Sequence, residues 1–193
     1  MSISFEWAYA GTPPWDIGRA QDAFVRLEEA GRIVGSVLDV GCGTGENAFD
    51  MAAHGHETWG IDSAPTAIQK ALEKAEIRGI PVTFKVFDAL RLKELGRTFD
   101  TAIDSGLFHC FDDDDRPVYA RSIRSAVRSG GLYHLMCFSE DEPLEGGPRR
   151  VTRAEIRETF KDGWTVESIE ANRFATRIHA EGARAWLATL RRD

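Results

Sequence analysis

Hydrophobic spacing along the chain switches repeatedly between a period near two and a period near 3.6, and each switch marks an element. Val37, Leu38 and Val40 form a short β-branched run that predicts a buried strand. Ala48, Phe49, Ala52 and Ala53 then recur at helical spacing until His54-Gly55. His56–Asp62 reads as a second strand. A helix follows, opened by Ser63-Ala64-Pro65, carried by Ala67, Ile68, Ala71, Leu72 and Ala75, and stopped by Gly79. Pro81–Asp88, Phe99–Asp104 and Leu132–Phe138 supply three more strands. Between the last two, Val118, Tyr119, Ile123, Ala126 and Val127 mark a helix ended by Gly130-Gly131. Thr152-Arg153-Ala154-Glu155 is a capping box ahead of Ile156 and Phe160. Trp164–Glu170 alternates as a strand, and Ala185–Leu190 reads as the last one. Strands alternating with helices predict a single-domain, doubly wound α/β sheet of about seven strands with helices on both faces.

The chemistry concentrates where the first strand meets its helix. Gly41, Gly43 and Gly45 follow Val40 directly. Such glycines let the chain reverse and let a ligand lie against bare main chain, at a helix N-terminus that carries free N–H groups. The dinucleotide fingerprint G-x-G-x-x-G does not fit: its third glycine comes one residue early, and Glu46 stands in its place. A carboxylate there is a poor neighbour for pyrophosphate and suits a cationic ligand, as does Asp39. Asp62 ends the second strand 21 residues after Gly41, where nucleotide-binding βαβ units place an acid on a ribose. His109, in the loop after the fourth strand, is the one residue there suited to proton transfer near neutral pH. Asp112–Asp115 reads as an acidic helix start rather than a metal site.

Residues 1–35 form an N-terminal extension of the same domain, with 36–193 as its body. Phe5, Trp7, Tyr9 and Trp15 are concentrated in it, and Ile17, Ala20, Phe24 and Leu27 predict an amphipathic helix ending near Gly31. The extension either covers the sheet or closes as a lid.

A net charge of −7 argues against tight binding to nucleic acid or an anionic membrane, because neutralising phosphates needs clustered Lys and Arg. Cys42, Cys110 and Cys137 lack metal-ligand spacing and read as reduced thiols in a cytoplasmic protein. No leader peptide and no membrane-length apolar run is evident. The expected assembly is a monomer or homodimer.

The stretch VLDVGCGTGE (residues 37–46) closely resembles motif I of the class I S-adenosylmethionine-dependent methyltransferases. The resemblance implies S-adenosylmethionine as cofactor, S-adenosylhomocysteine as product, and a Rossmann-like sheet that is mostly parallel with an antiparallel last strand. It places Asp39, Gly41, Gly43 and Gly45 at the cofactor's methionine end, Asp62 at its ribose, and Asp88 with Ala89 at its adenine. Cys42, Asn47, Ser63, Asp104, Ser105 and Trp15 complete the expected cofactor set. The pattern W-x-Y-x-x-x-x-P-W-D from Trp7 to Asp16 resembles the thiopurine- and tellurite-type small-molecule branch. There the N-terminal aromatics close over cofactor and substrate. Trp7, Tyr9, Phe108, His109, Phe111 and Arg149 are accordingly the expected acceptor-binding residues, with His109 the candidate catalytic one. Arg116 and Tyr119 match that branch's D-x-x-R-x-x-Y pattern, as braces of a helix. Enzymes that methylate adenine in nucleic acids carry Asn/Asp-Pro-Pro-aromatic after the fourth strand. This chain has Asp104-Ser105-Gly106-Leu107, which points to a small aromatic or heterocyclic acceptor methylated on O, N or S. A non-catalytic S-adenosylmethionine-binding protein and, less favoured, a nicotinamide-dependent oxidoreductase stay open as alternatives.

Overall fold

Seven strands form one sheet in the computed structural model, which describes residues 5–143 and 147–193. They are β1 (Val37–Val40), β2 (Thr58–Asp62), β3 (Thr83–Val86), β4 (Phe99–Ser105), β5 (Val127–Phe138), β6 (Trp164–Phe174) and β7 (Ala183–Arg192). The order is β3-β2-β1-β4-β5-β7-β6. Strands β1 to β5 pair in parallel, and β7 runs antiparallel to both β5 and β6. Sheet order reverses at β1 and β4, which puts a crevice at their carboxyl ends.

Helices α1 (Asp22–Glu29), α2 (Glu46–Ala53), α3 (Pro65–Arg78), α4 (Asp115–Ala126) and α5 (Arg153–Thr159) cover the sheet. β1 is sealed on both sides, so its alternate residues feed two cores. Leu38 and Val40 join Tyr133, Ile123, Phe160 and Trp164. Val37 joins Phe24, Met51, Ile103 and Met136. The capping box forms as expected: Thr152 Oγ1 accepts from the Glu155 amide, and Glu155 accepts from the Thr152 amide at 2.7 Å.

Three boundaries differ from the sequence reading. The N-terminal helix begins at Asp22, not near Ile17, because Gly18 takes a left-handed φ of 74° and breaks the turn. Helix α4 ends at Ala126 and β5 starts at once, running through Gly130-Gly131. A side chain at Gly131 would come within 2.7 Å of the Asp100 carbonyl, so the glycine marks close strand approach and not a helix stop. β6 and β7 are longer than their alternation indicated, because each is extended by pairing with the other as far as Phe174 and Ala183.

Candidate active site

A cavity of about 410 Å³ opens at the carboxyl ends of β1, β2, β3 and β4. Each strand delivers a short loop to it. Gly41, Cys42 and Gly43 come from the turn after β1 and Asn47 from the start of α2. Asp62 and Ser63 end β2, Asp88 and Ala89 follow β3, and Ser105, His109 and Phe111 follow β4. Tyr9 and Trp15 line it from the N-terminal segment.

Asp62 organises the cavity's acidic end. Its Oδ1 accepts from the Ala64 amide and its Oδ2 from the Gly43 amide, both at 2.9 Å. Burial raises its pKa, and the Ala64, Gly43 and Ser63 amides oppose the rise. Each oxygen keeps a second lone pair, enough to accept from two vicinal hydroxyls. Asp88 caps the 3-10 helix Ala89–Leu95 by accepting from the Leu90 amide through Oδ1. Gly43 leaves bare backbone: a Cβ there would lie 2.9 Å from the Tyr9 hydroxyl. Glu46 lines the cavity but is engaged by Lys74 at 2.6 Å and Arg78 at 2.8 and 2.9 Å. Burial pushes its pKa up, yet those two cations bring it below the ordinary value, so its charge is already balanced.

The N-terminal segment is strapped down over this end. Trp15 Nε1 donates to the Tyr9 hydroxyl at 3.3 Å, and the two rings meet edge to face. Lys70 Nζ donates to the Tyr9 and Gly11 carbonyls at 2.8 and 2.9 Å. Glu6 accepts from the Thr66 amide and hydroxyl. The same segment is tied to the β6–β7 loop. Gln21 and Ala175 exchange two hydrogen bonds of 3.0 and 2.9 Å, and the Arg177 amide donates to the Pro14 carbonyl at 2.9 Å.

Six expected site residues do not line the cavity. Asp39 lies wholly buried beneath it, and neither carboxylate oxygen has a hydrogen-bond partner among the described residues. Burial pushes its pKa up to about 8; the Asp104 charge adds to the rise, and the Ala48 amide opposes it without closing a bond. Gly45 packs under the aromatic pair Phe49 and Phe84. Asp104 is a buried anchor that accepts from the Tyr119 hydroxyl (2.8 Å), the Tyr133 hydroxyl (3.1 Å), and the Leu107 and Phe108 amides (2.7 and 3.2 Å). Burial lifts its pKa to about 6 against those four donors. Phe108 is a core residue packed on Tyr119 and Phe160. Trp7 points outward, 75% exposed. Arg149 pairs with Asp113 and Glu155 on the surface, and its neighbour Arg150 faces the cavity instead.

Residues 37–131 match the family model described as a methyltransferase domain. A 2-heptyl-1-hydroxyquinolin-4(1H)-one methyltransferase from Mycobacteroides abscessus is 39% identical over 176 residues, covering 90% of this chain and 76% of that protein. The chain belongs to the S-adenosylmethionine-dependent methyltransferases. A solved structure from work on converting a disulfide bond into a thioacetal group during echinomycin biosynthesis shares 39% identity with this methyltransferase. The TM-score is 0.90, over 100% of this chain and 93% of that one. TehB from Haemophilus influenzae shares the fold at 17% identity and a TM-score of 0.73, over 98% and 66% of the two chains.

The residues present fit the methyltransferase cofactor. Bare backbone at Gly41 and Gly43 lets a ligand lie against main chain, and the spare lone pairs of Asp62 can take the vicinal hydroxyls that this cofactor carries. Sequence reasoning missed several lining residues: Phe5 and Asp16 on the segment over the acidic end, and Arg19, Phe138, Phe174 and Ile178 elsewhere in the wall. Phe138 and Phe174 are the last residues of β5 and β6, so strand ends carried the available signal. Arg116 and Tyr119 brace α4 as expected: Tyr119 bonds Asp104, and Arg116 reaches Glu155 at 3.2 Å across to α5. Asp112, at the head of the acidic run, accepts from the Asp114 and Asp115 amides through Oδ1 just ahead of α4, while the N-cap residue Asp114 makes no side-chain cap bond. Among the described residues, no group of acids, histidines or cysteines could hold a metal ion. Nor is any described helix long and apolar enough to cross a membrane.

Proposed function

We propose that this methyltransferase carries the methyl group of S-adenosylmethionine to a heteroatom of a small aromatic or heterocyclic acceptor. The observation that carries the reading is the cavity's division into two chemically distinct ends. One end is acidic and backbone-lined. The other is walled by Phe111, Phe138 and Phe174 with His109, Arg19 and Arg150 among them. The acidic end supports Asp62 on the ribose, Asp88 and Ala89 on the adenine, and Gly41, Cys42, Gly43 and Asn47 around the methionine tail. When bound, the cofactor's sulfonium supplies an electrophilic methyl carbon. The chain's part is to align a lone pair with it and to exclude water beneath Tyr9 and Trp15. An aromatic wall of this kind stacks planar acceptors, in keeping with the hydroxyquinolone named for the Mycobacteroides relative. A cytoplasmic setting is supported by three unpaired cysteines, and a monomer or homodimer is the expected assembly. The test is calorimetric titration with S-adenosylhomocysteine, then a turnover screen against phenols, thiols and N-heterocycles. Binding with acceptor-dependent S-adenosylhomocysteine release supports the reading. Binding without turnover across the whole screen favours the non-catalytic alternative.

A further inference from the structure

His109 is built to donate a hydrogen bond, not to take a proton. The Phe138 amide donates to its Nδ1 at 3.0 Å, so Nδ1 keeps its lone pair occupied and the ring proton sits on Nε2. The ring is pinned in that pose. It stacks on Phe138 with centroids 4.6 Å apart and meets Phe174 edge-on at 5.8 Å. Nε2 lies over Gly106, where a Cβ would come within 3.4 Å of it, and it has no hydrogen-bond partner among the described residues. The side chain lines the cavity at its aromatic end.

The surroundings keep the ring neutral. Burial first, then Arg116 from α4 and Arg150 from the loop after β5, push its pKa down to about 3. Arg150 lies over the far ring of this stack, 5.6 Å from the Phe138 centroid, and Arg116 lies 4.8 Å from the Phe108 centroid. Cys110, beside it, donates to the Gly106 carbonyl and has its thiol pushed up to about 12. Asp104, behind the turn, is committed to four donors. This corner therefore offers a neutral N–H from His109, and the other imidazole among the described cavity-lining residues is His179, on the β6–β7 loop.

We propose that His109 Nε2–H holds the reacting heteroatom in its deprotonated form, so that this methyltransferase selects acidic thiols and phenol-type hydroxyls that arrive as anions. The proposal rests on the methyl-transfer reading above. The acceptor loses its proton to bulk water before it binds. Its lone pair then forms the bond to the methyl carbon, and the carbon–sulfur bond breaks onto sulfur. One negative and one positive charge become two neutral products, and no proton leaves at that step. A neutral donor can hold the anion without reprotonating it.

The test uses the full chain, wild type and the variants His109→Gln and His109→Phe, each first shown by calorimetry to bind S-adenosylhomocysteine. With that product bound, 4-nitrophenol is titrated and its visible phenolate band followed against pH. The expected result is a phenolate band that persists to lower pH in the wild-type complex than in free solution. His109→Gln, which keeps an amide donor, should preserve most of that displacement, and His109→Phe should abolish it. In turnover with ring-substituted thiophenols, kcat/KM should rise with pH along each thiol's own ionisation. His109→Phe should raise KM by roughly tenfold or more, the loss of a hydrogen bond to a charged group, with a smaller change in kcat. Several results overturn the proposal. They are nitrophenol bound as the neutral phenol, no nitrophenol binding to protein that holds S-adenosylhomocysteine, or an ionisation common to all acceptors that disappears in His109→Phe. A wild-type protein that does not bind S-adenosylhomocysteine at all refutes the cofactor reading instead, which keeps the two failures apart.

Discussion

Replacing Asp39 with Asn should stabilise the protein progressively as pH rises. Asp39 is fully buried on β1 and lacks hydrogen-bond partners among the described residues. Its pKa stands at about 8 in the fold against an ordinary 3.8. The folded state thus holds a proton that the unfolded chain releases. Where the folded pKa is raised, stability is present below the unfolded value and is lost as pH climbs toward the folded one. Each pH unit in that window costs about 1.4 kcal/mol, so the whole interval amounts to at most about 6 kcal/mol and the part between pH 5 and 8 to about 4 kcal/mol. Asn is neutral in both states and abolishes this slope. A buried amide without partners brings its own pH-independent cost of about 1–3 kcal/mol, so the slope is diagnostic and the offset is not. The assay is urea denaturation of both proteins, followed by circular dichroism, at several pH values from 5 to 8 and fixed ionic strength. The stability difference, variant minus wild type, should grow by several kcal/mol across that range. A difference constant to within about 1 kcal/mol would show that Asp39 is ionised in the fold, and the argument from burial would fail.

Asp62→Ala should weaken S-adenosylhomocysteine binding by at least tenfold in calorimetry, because a charged acceptor for two hydroxyls is lost and the Gly43 amide is released; unchanged affinity removes Asp62 from the site. Gly45→Ala should lower the melting temperature by several degrees, about 2–3 kcal/mol, since φ there is +90° and the new Cβ would meet Phe84 at 2.6 Å. A loss of cofactor affinity with no loss of melting temperature would instead place Gly45 against the ligand. Lys70→Met removes both straps to the Tyr9 and Gly11 carbonyls. S-adenosylhomocysteine affinity should then fall a few-fold, with a shift in Trp15 fluorescence, and an unaltered affinity would detach the segment from ligand binding.

Much of the fold was legible because strands and helices announce themselves by period, and β1, α2 and α3 differ little from their sequence outlines. The acidic end of the cavity was legible for a related reason: strand tips in a parallel sheet are where the crevice must lie, so Asp62 could be located by position, while Asp88 came from the family resemblance. What sequence could not supply was phase. On β1, Asp39 falls on the inward side, beneath the loop it precedes; Asp104 on β4 turns into the layer that holds Tyr119 and Tyr133. In the 3-10 turn Glu6–Ala10, a three-residue period carries Trp7 outward and Tyr9 inward. Arg149 and Arg150 are adjacent, and only the course of the loop decides which one meets the cavity. The wall built by Phe174 and Ile178 was invisible for another reason. It depends on where a hairpin ends, and β6 continues past the point at which its alternation fades.

The two hydrogen bonds between Gln21 and Ala175 join residues 154 positions apart, one beside the cover over the acidic end and the other at the rim of the aromatic end. On the proposed reading, the covers over cofactor and acceptor thus share a latch. Loosening the β6–β7 loop to admit a bulkier acceptor also slackens the cover over S-adenosylhomocysteine, so residence time and acceptor range should change together. An effort to broaden the acceptors of this methyltransferase by altering residues 175–182 would also retune product inhibition, whereas changes at Pro148, which lines the cavity outside that loop, would leave that latch closed.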